Sequence, residues 1–279
     1  MKSNGEGPQF VLDYISWLGS ERQTTVKFYV QIAYDELQFI RHEERFQASY
    51  DFEFFIYDGE DNLLKRNVLH DVFEVDSFET QSRTKARIFP VVYPLEPRKY
   101  RLKAVITDLE TNKTSKIEAF FLPRDFHSQN LQISEIQLCT KIEPGEPELL
   151  WARNNLYLLP NIFRTLAYNR HDLYVYFEIY NLALTENMSD TTLTLFMIFE
   201  NGRGEQIRQI ERQHTKIAQN CAFHFKFPKD NFFTGEYVLT IRVRDDATRQ
   251  TVETSTSFAV IDLDSITPFA EFSSQEMND

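Results

Sequence analysis

The sequence predicts an all-β protein made of two tandem immunoglobulin-like antiparallel β-sandwich domains. Three observations carry this. Apolar residues alternate with period two along most of the chain, turn residues separate the alternating runs, and one strand–turn–strand motif occurs twice. Long amphipathic helical patterns are scarce. The 279 residues suffice for two ordinary domains, and 42% hydrophobic content supplies cores without metal or disulfide staples.

The elements follow in order. "VKFYVQIAYDELQF" (26–39) begins as a strand with Val26, Phe28, Val30 and Ile32 on one face. The beat breaks over residues 33–36 and resumes at Leu37 and Phe39. Asp35 and Glu36 are adjacent, so on an extended chain they point to opposite sides and cannot face each other as acid and base. They suit a kink that carries residues 37–40 from one sheet to the other. "HEERF" (42–46) starts like the zinc motif H-E-x-x-H, but Phe46 occupies the second ligand position, so it is a charged hairpin turn.

Tyr50, Phe52, Phe54 and Ile56 share the next strand face, and "DGEDN" (58–62) supplies a turn. The Gly and Glu that an EF-hand loop needs are here Leu63 and Leu69. Further on, "LYVYFEIYNL" places Leu173, Val175, Phe177 and Ile179 on one side. "LTLFMIFENGRGEQI" is a strand ended by Asn201 and Gly202, a pair that favours a tight hairpin turn. Its G-x-G lies in that hairpin, not at a helix start, and is no nucleotide loop. "CAFHFKF" lines up Cys221, Phe223, Phe225 and Phe227.

The repeat sets the organisation. "YRLKAVITDLETNKT" (100–114) matches "YVLTIRVRDDATRQT" (237–251), pairing Tyr100 with Tyr237, Asp108 with Asp245 and Thr111 with Thr248. Each copy is a strand, an Asp-x-x-Thr turn whose side chains satisfy its own backbone, and a returning strand. Each opening tyrosine suits a tyrosine corner, and each half has the size of such a sandwich. The first domain is placed at 8–125, the second at 129–263, and a polar tail or linker at 264–279, with the boundary in "PRDFHSQN" (123–130). The region 141–172 is the least regular.

A net charge of −12 argues against a nucleic-acid partner, because phosphate binding rests on clustered Lys and Arg. No run approaches the roughly 20 apolar residues that span a bilayer, so no membrane insertion is expected. The opening "MKSNGEGPQF" has no apolar h-region, and no signal peptide is read in the chain as given.

The run "FVLDYISWLG", "VKFYVQIAYDELQFI", "YDFEFFIYDGEDN", then "LYLLPN", "LYVYFEIYNL" and "GEYVLTIRVRDDAT", resembles the N-terminal tandem β-sandwich region of GWxTD domain-containing proteins. The similarity covers residues 10–260. No Gly-Trp-x-Thr-Asp stretch is present: the only tryptophans are Trp17 and Trp151. The resemblance implies a bacterial cell-envelope or periplasmic location, with a cytoplasmic one still open, and supplies no catalytic residue.

No catalytic set, metal site or cofactor is expected. His70, His127, His171, His214 and His224 are scattered without ligand spacing. The reading is therefore a non-catalytic interaction or scaffolding module whose partner is another protein. The alternative is a carbohydrate-binding accessory module that uses the back of the Leu173 strand. There Tyr174, Tyr176 and Tyr180 form a ladder around Glu178, suited to stacking on a sugar or anchoring a partner. The competing structural reading has these tyrosines covering the 141–172 connection or the neighbouring domain. Cys221 is in phase with the phenylalanines and should face the second core, while Cys139 should point away from it, so no disulfide joins them.

Overall fold

The computed structural model describes residues 1–19, 23–82, 85–146, 151–184 and 192–262. The first half forms β1 (Asn4–Gly5), β2 (Phe10–Leu18), β3 (Thr24–Ala33), β4 (Ile40–His42), β5 (Arg45–Tyr57), β6 (Leu63–Val75), β7 (Ala86–Leu95), β8 (Tyr100–Asp108) and β9 (Thr114–Phe121). Strands β2–β3–β7 make a three-stranded sheet, A. Strands β1–β9–β8–β5, with β4 and β6 both paired to β5, make a six-stranded sheet, B. Sheets A and B close on one core that includes Phe28, Val30 and Ile32 from β3 and Phe52, Phe54 and Ile56 from β5. These are the alternating residues of the sequence, buried because an inward-facing set can leave water only by meeting a second sheet.

The second half forms β10 (Gln132–Ile133), β11 (Gln137–Pro144), β12 (Ala152–Arg153), β13 (Leu156–Pro160), β14 (Thr165–Ala167), β15 (Leu173–Tyr180), β16 (Thr192–Asn201), β17 (Gln206–Thr215), β18 (Cys221–Phe227), β19 (Gly235–Asp245) and β20 (Thr251–Ile261). Sheet C is β10–β15–β11–β13–β12 with β18 on the free side of β15, and sheet D is β14–β20–β19–β16–β17. Strand β14 runs parallel to β20, and the other pairings within these sheets are antiparallel. Leu173, Val175, Phe177 and Ile179 meet Leu195, Met197, Phe199, Leu239 and Ile241 in the second core. The fold is thus all-β with two antiparallel sandwiches. Among the described residues of the irregular stretch 141–172, the short strands β12, β13 and β14 widen sheets C and D.

The break at residues 33–36 bends the chain. Tyr34–Glu36 is a single 3-10 turn, Leu37 is buried after it, and β4 then pairs in sheet B, having left sheet A. "HEERF" is the β4–β5 turn with Glu43 at φ 54, and Nδ1 of His42 lies 2.8 Å from a Glu74 carboxylate. In "DGEDN" the Asp58 carboxylate accepts from the backbone N–H groups of Glu60 and Asn62, each at 2.9 Å. The β16–β17 turn differs from the sequence reading: its left-handed residue is Gly204 (φ +77), while Asn201 accepts from the N–H groups of Arg203 and Glu205.

The repeated hairpins share one turn but not one set of partners. Asp108 and Asp245 are both buried, and each accepts from backbone N–H groups two and three residues on. The second oxygen of Asp108 takes the Gln38 N–H at 2.9 Å, whereas Asp245 also holds the fully buried Lys216 ammonium at 3.0 Å. Tyr237 makes the corner bond, donating to the Phe233 carbonyl at 3.0 Å. Tyr100 instead accepts from the Arg98 guanidinium at 3.2 Å. Among the described residues no helix is long and apolar enough to cross a membrane.

Candidate functional site

A third apolar cluster joins the two sandwiches. Val11, Ile15, Trp17 and Tyr29 from the outer face of sheet A pack with Cys139, Leu158, Ile162 and Tyr176 of the second half. The back of β15 therefore meets protein, not water. Tyr176 is 0% exposed, Tyr180 2% and Glu178 4%, while Tyr174 is half-buried. The exposed ladder is corrected accordingly: Tyr176 and Tyr180 offer no surface to a sugar, because sheet A and the β12 segment cover them. Alternation identified the face correctly but could not say what would lie on it. Tyr174 sits nearer the rim, with the Lys226 ammonium 5.5 Å from its ring centre.

Glu178 is the centre of this face. Arg153 grips it with both prongs of its guanidinium, Nε to Oε1 at 2.6 Å and a terminal nitrogen to Oε2 at 2.8 Å. Tyr176 donates to Oε1 at 2.6 Å, Tyr180 to Oε2 at 2.8 Å, and Asn154 to Oε1 at 3.1 Å. Burial pushes this carboxyl up, but the Arg153 fork and the two phenols outweigh it, so the group lies below the ordinary glutamate range. The same burial, together with the adjacent carboxylate, pushes both phenols well above theirs. The arrangement favours the charged form of Glu178 and the neutral form of both phenols.

The cluster also reaches across the joint. The Tyr180 hydroxyl accepts from the Leu18 N–H at 3.2 Å, Trp17 meets Tyr176 edge-on at 5.4 Å, and Arg153 stacks over Trp17 at 5.0 Å. Two further ties lie beside it. Arg164, held at φ 54, forks onto Asp13 of β2 at 2.8–2.9 Å. Arg124, between β9 and β10, lies 3.1 Å from Glu135, whose other oxygen accepts the Ser16 N–H at 2.9 Å. Both cysteines are free. Cys139 is buried in the joint, where loss of solvation pushes its thiol up, and Cys221 packs against the second core, so the two point to different places.

Among the described residues no group of three or more His, Cys, Asp or Glu is placed to hold a metal. The residues that sequence reasoning missed are Arg153, Asn154 and Arg164. They lie in the irregular stretch, and each works only through partners 22 or more residues away. Asn154 shares its left-handed backbone (φ 50) with Asn155 (φ 60), which was the available signal for a tight turn there.

No protein-family model matches the chain, and no curated protein matches it. Among solved structures it is similar to Bacteroides uniformis β-glucuronidase, with 10% identity, 86% of this chain and 26% of that chain covered, and a TM-score of 0.25. It is also similar to Bacteroides uniformis β-glucuronidase 2 bound to a cyclophellitol-6-carboxylate aziridine, with 9% identity, coverage of 92% and 32%, and a TM-score of 0.25. The chain spans about a quarter to a third of the length of these solved chains. At such TM-scores the likeness carries no argument about activity.

Proposed function

We propose that this chain is a non-catalytic interaction or scaffolding module, two sandwiches held as one rigid unit, serving the bacterial cell envelope. The envelope location rests on the resemblance to the sandwich part of GWxTD domain-containing proteins. The non-catalytic reading rests on one observation: both oxygens of Glu178, the buried carboxylate on the tyrosine face, are engaged by Arg153, Tyr176, Tyr180 and Asn154. A carboxylate so saturated holds in place the side chains that reach Leu18 and Trp17 across the joint, and an acid or base must instead face a reacting group.

The outer face of sheet B is the surface for a protein partner. Val68 and Val72 of β6 and Phe120 of β9 are exposed there, and Phe55 and Tyr57 stack beneath Arg66 and Arg101. Aromatic and Arg anchors with an apolar margin are what protein interfaces favour. A photo-crosslinking residue at position 68, introduced in cells, tests this. A single envelope protein captured there, and lost in Val72→Asp, supports the reading. Glycan hydrolysis by the purified chain that vanishes in a folded Glu178→Gln variant would overturn it.

A further inference from the structure

Beside the Glu178 cluster, a cleft of about 170 Å³ opens between the sandwiches. Its first-sandwich wall carries Trp17, Lys27 and Tyr29, and its second-sandwich wall carries Gln137, Trp151 and Arg153. Tyr29 and Trp151 stack across the domain gap at 6.0 Å and 22°, and the Lys27 ammonium lies 5.6 and 5.4 Å from their ring centres. Sheet A and the β12 segment thus bring aromatic faces and two cationic side chains to one small space, although they lie more than a hundred residues apart in sequence.

Gln137 lines both this cleft and the adjoining cavity beside Asp13 and Glu135. It is 5% exposed, and its Oε1 accepts from the Tyr29 hydroxyl at 3.2 Å. Its Nε2 is buried without any hydrogen-bond partner among the described residues. Turning the amide over only exchanges the ends, since one end still faces the tyrosine and the other still lacks a partner. A buried amide N–H left unmet lowers stability, and a fold that keeps one calls for a reason.

We propose that this interdomain cleft binds a small organic carboxylate whose ring offers an apolar face. The ring lies on the Trp151–Tyr29 wall and the carboxylate faces Lys27. Aromatic faces hold flat apolar surfaces, and a cation beside them selects an anion. The site goes beyond the proposed scaffolding role and does not depend on it. A sugar acid and an aromatic carboxylate share this chemistry, and the experiment separates them.

Trp17 and Trp151 are the only tryptophans of the chain and both line the cleft, so tryptophan emission reports on it selectively. The full chain is titrated at constant ionic strength with D-glucuronate and with benzoate, and in parallel with methyl glucoside and benzyl alcohol, their neutral counterparts. The expected result is a saturable change with one or both anions, half-complete near about 1 mM, and none with the matching neutral compound. In Lys27→Met and in Trp151→Leu, each confirmed folded by circular dichroism, the affinity should fall at least about tenfold, which is 1.4 kcal/mol. A response to glucuronate alone assigns a sugar acid, and one to benzoate alone assigns an aromatic acid. No saturable response, an equal response to the neutral counterpart, or undiminished affinity in both variants would overturn the site.

Discussion

The two faces of β15 are both buried, yet by different means. Leu173, Val175, Phe177 and Ile179 enter the second core, where their contribution follows the area taken from water and the closeness of packing. Tyr176, Glu178 and Tyr180 are buried against the first sandwich, where every polar atom must find a partner or cost stability. One face is held by shape, the other by a closed set of donors around one charge. The first tolerates no cavity; the second tolerates no missing partner.

Substitutions on the two faces should therefore differ in size and in pH dependence. The largest effect belongs to the core face. Phe177→Ala should cost about 3–5 kcal/mol through the cavity it leaves, equally at acid and neutral pH, in denaturant unfolding. On the joint face, Arg153→Met leaves Glu178 without its guanidinium and should cost about 3 kcal/mol at neutral pH. The sign of its pH dependence is fixed by Glu178, whose folded pKa lies below its ordinary 4.5. That stabilisation is present above the unfolded value and is lost as pH falls through the folded one. The gap between wild type and Arg153→Met should close as pH falls below 4.5 and on through the folded value. A gap that stays constant with pH would remove the distinction between the faces.

Smaller effects sharpen the same contrast. Tyr180→Phe removes one donor to Glu178 and the acceptor of the Leu18 N–H, and should cost about 1–2 kcal/mol. Hydrogen exchange at Leu18 should accelerate while exchange in the β19–β20 hairpin stays unchanged, because the tie crosses the joint. Smallest, and opposite in sign, is Lys27→Met. Desolvation in the joint, with Arg153 nearby, pushes the Lys27 pKa down to about 8. The cost of burying the charge is fully present below that value and is relieved as pH rises toward the unfolded 10.5. Lys27→Met should therefore stabilise by about 1 kcal/mol at neutral pH, with the advantage gone above about pH 10 in thermal melts.

Much of this architecture was legible in the residues because period-two alternation is a local property. Phe28 and Phe54 announced their core by phase alone, and the Asp-x-x-Thr turns announced both closing hairpins by repetition. Asp35 and Glu36 were legible as a bend for the same reason, since adjacent residues on a strand cannot converge. The joint was legible only as one of two readings. Tyr176 and Tyr180 could form a surface ladder or lie under the 141–172 connection or the neighbouring domain, and alternation, which ends at the sheet, could not choose between them. Arg153 and Asn154 were hidden in a stretch with no period, and their value comes from long-range partners that no local pattern encodes. Lys216 shows the same limit: no local pattern marks it, and the fold places its ammonium on Asp245.

The central claim is that the joint makes two sandwiches one rigid body, against the ordinary expectation that domains in one chain move relative to each other. Residual dipolar couplings test it most directly, measured for backbone amides of both sandwiches in a single alignment medium. One alignment tensor should fit β2–β9 and β10–β20 together, and Arg153→Met should split it. Two tensors of different magnitude in the wild-type chain would contradict the account.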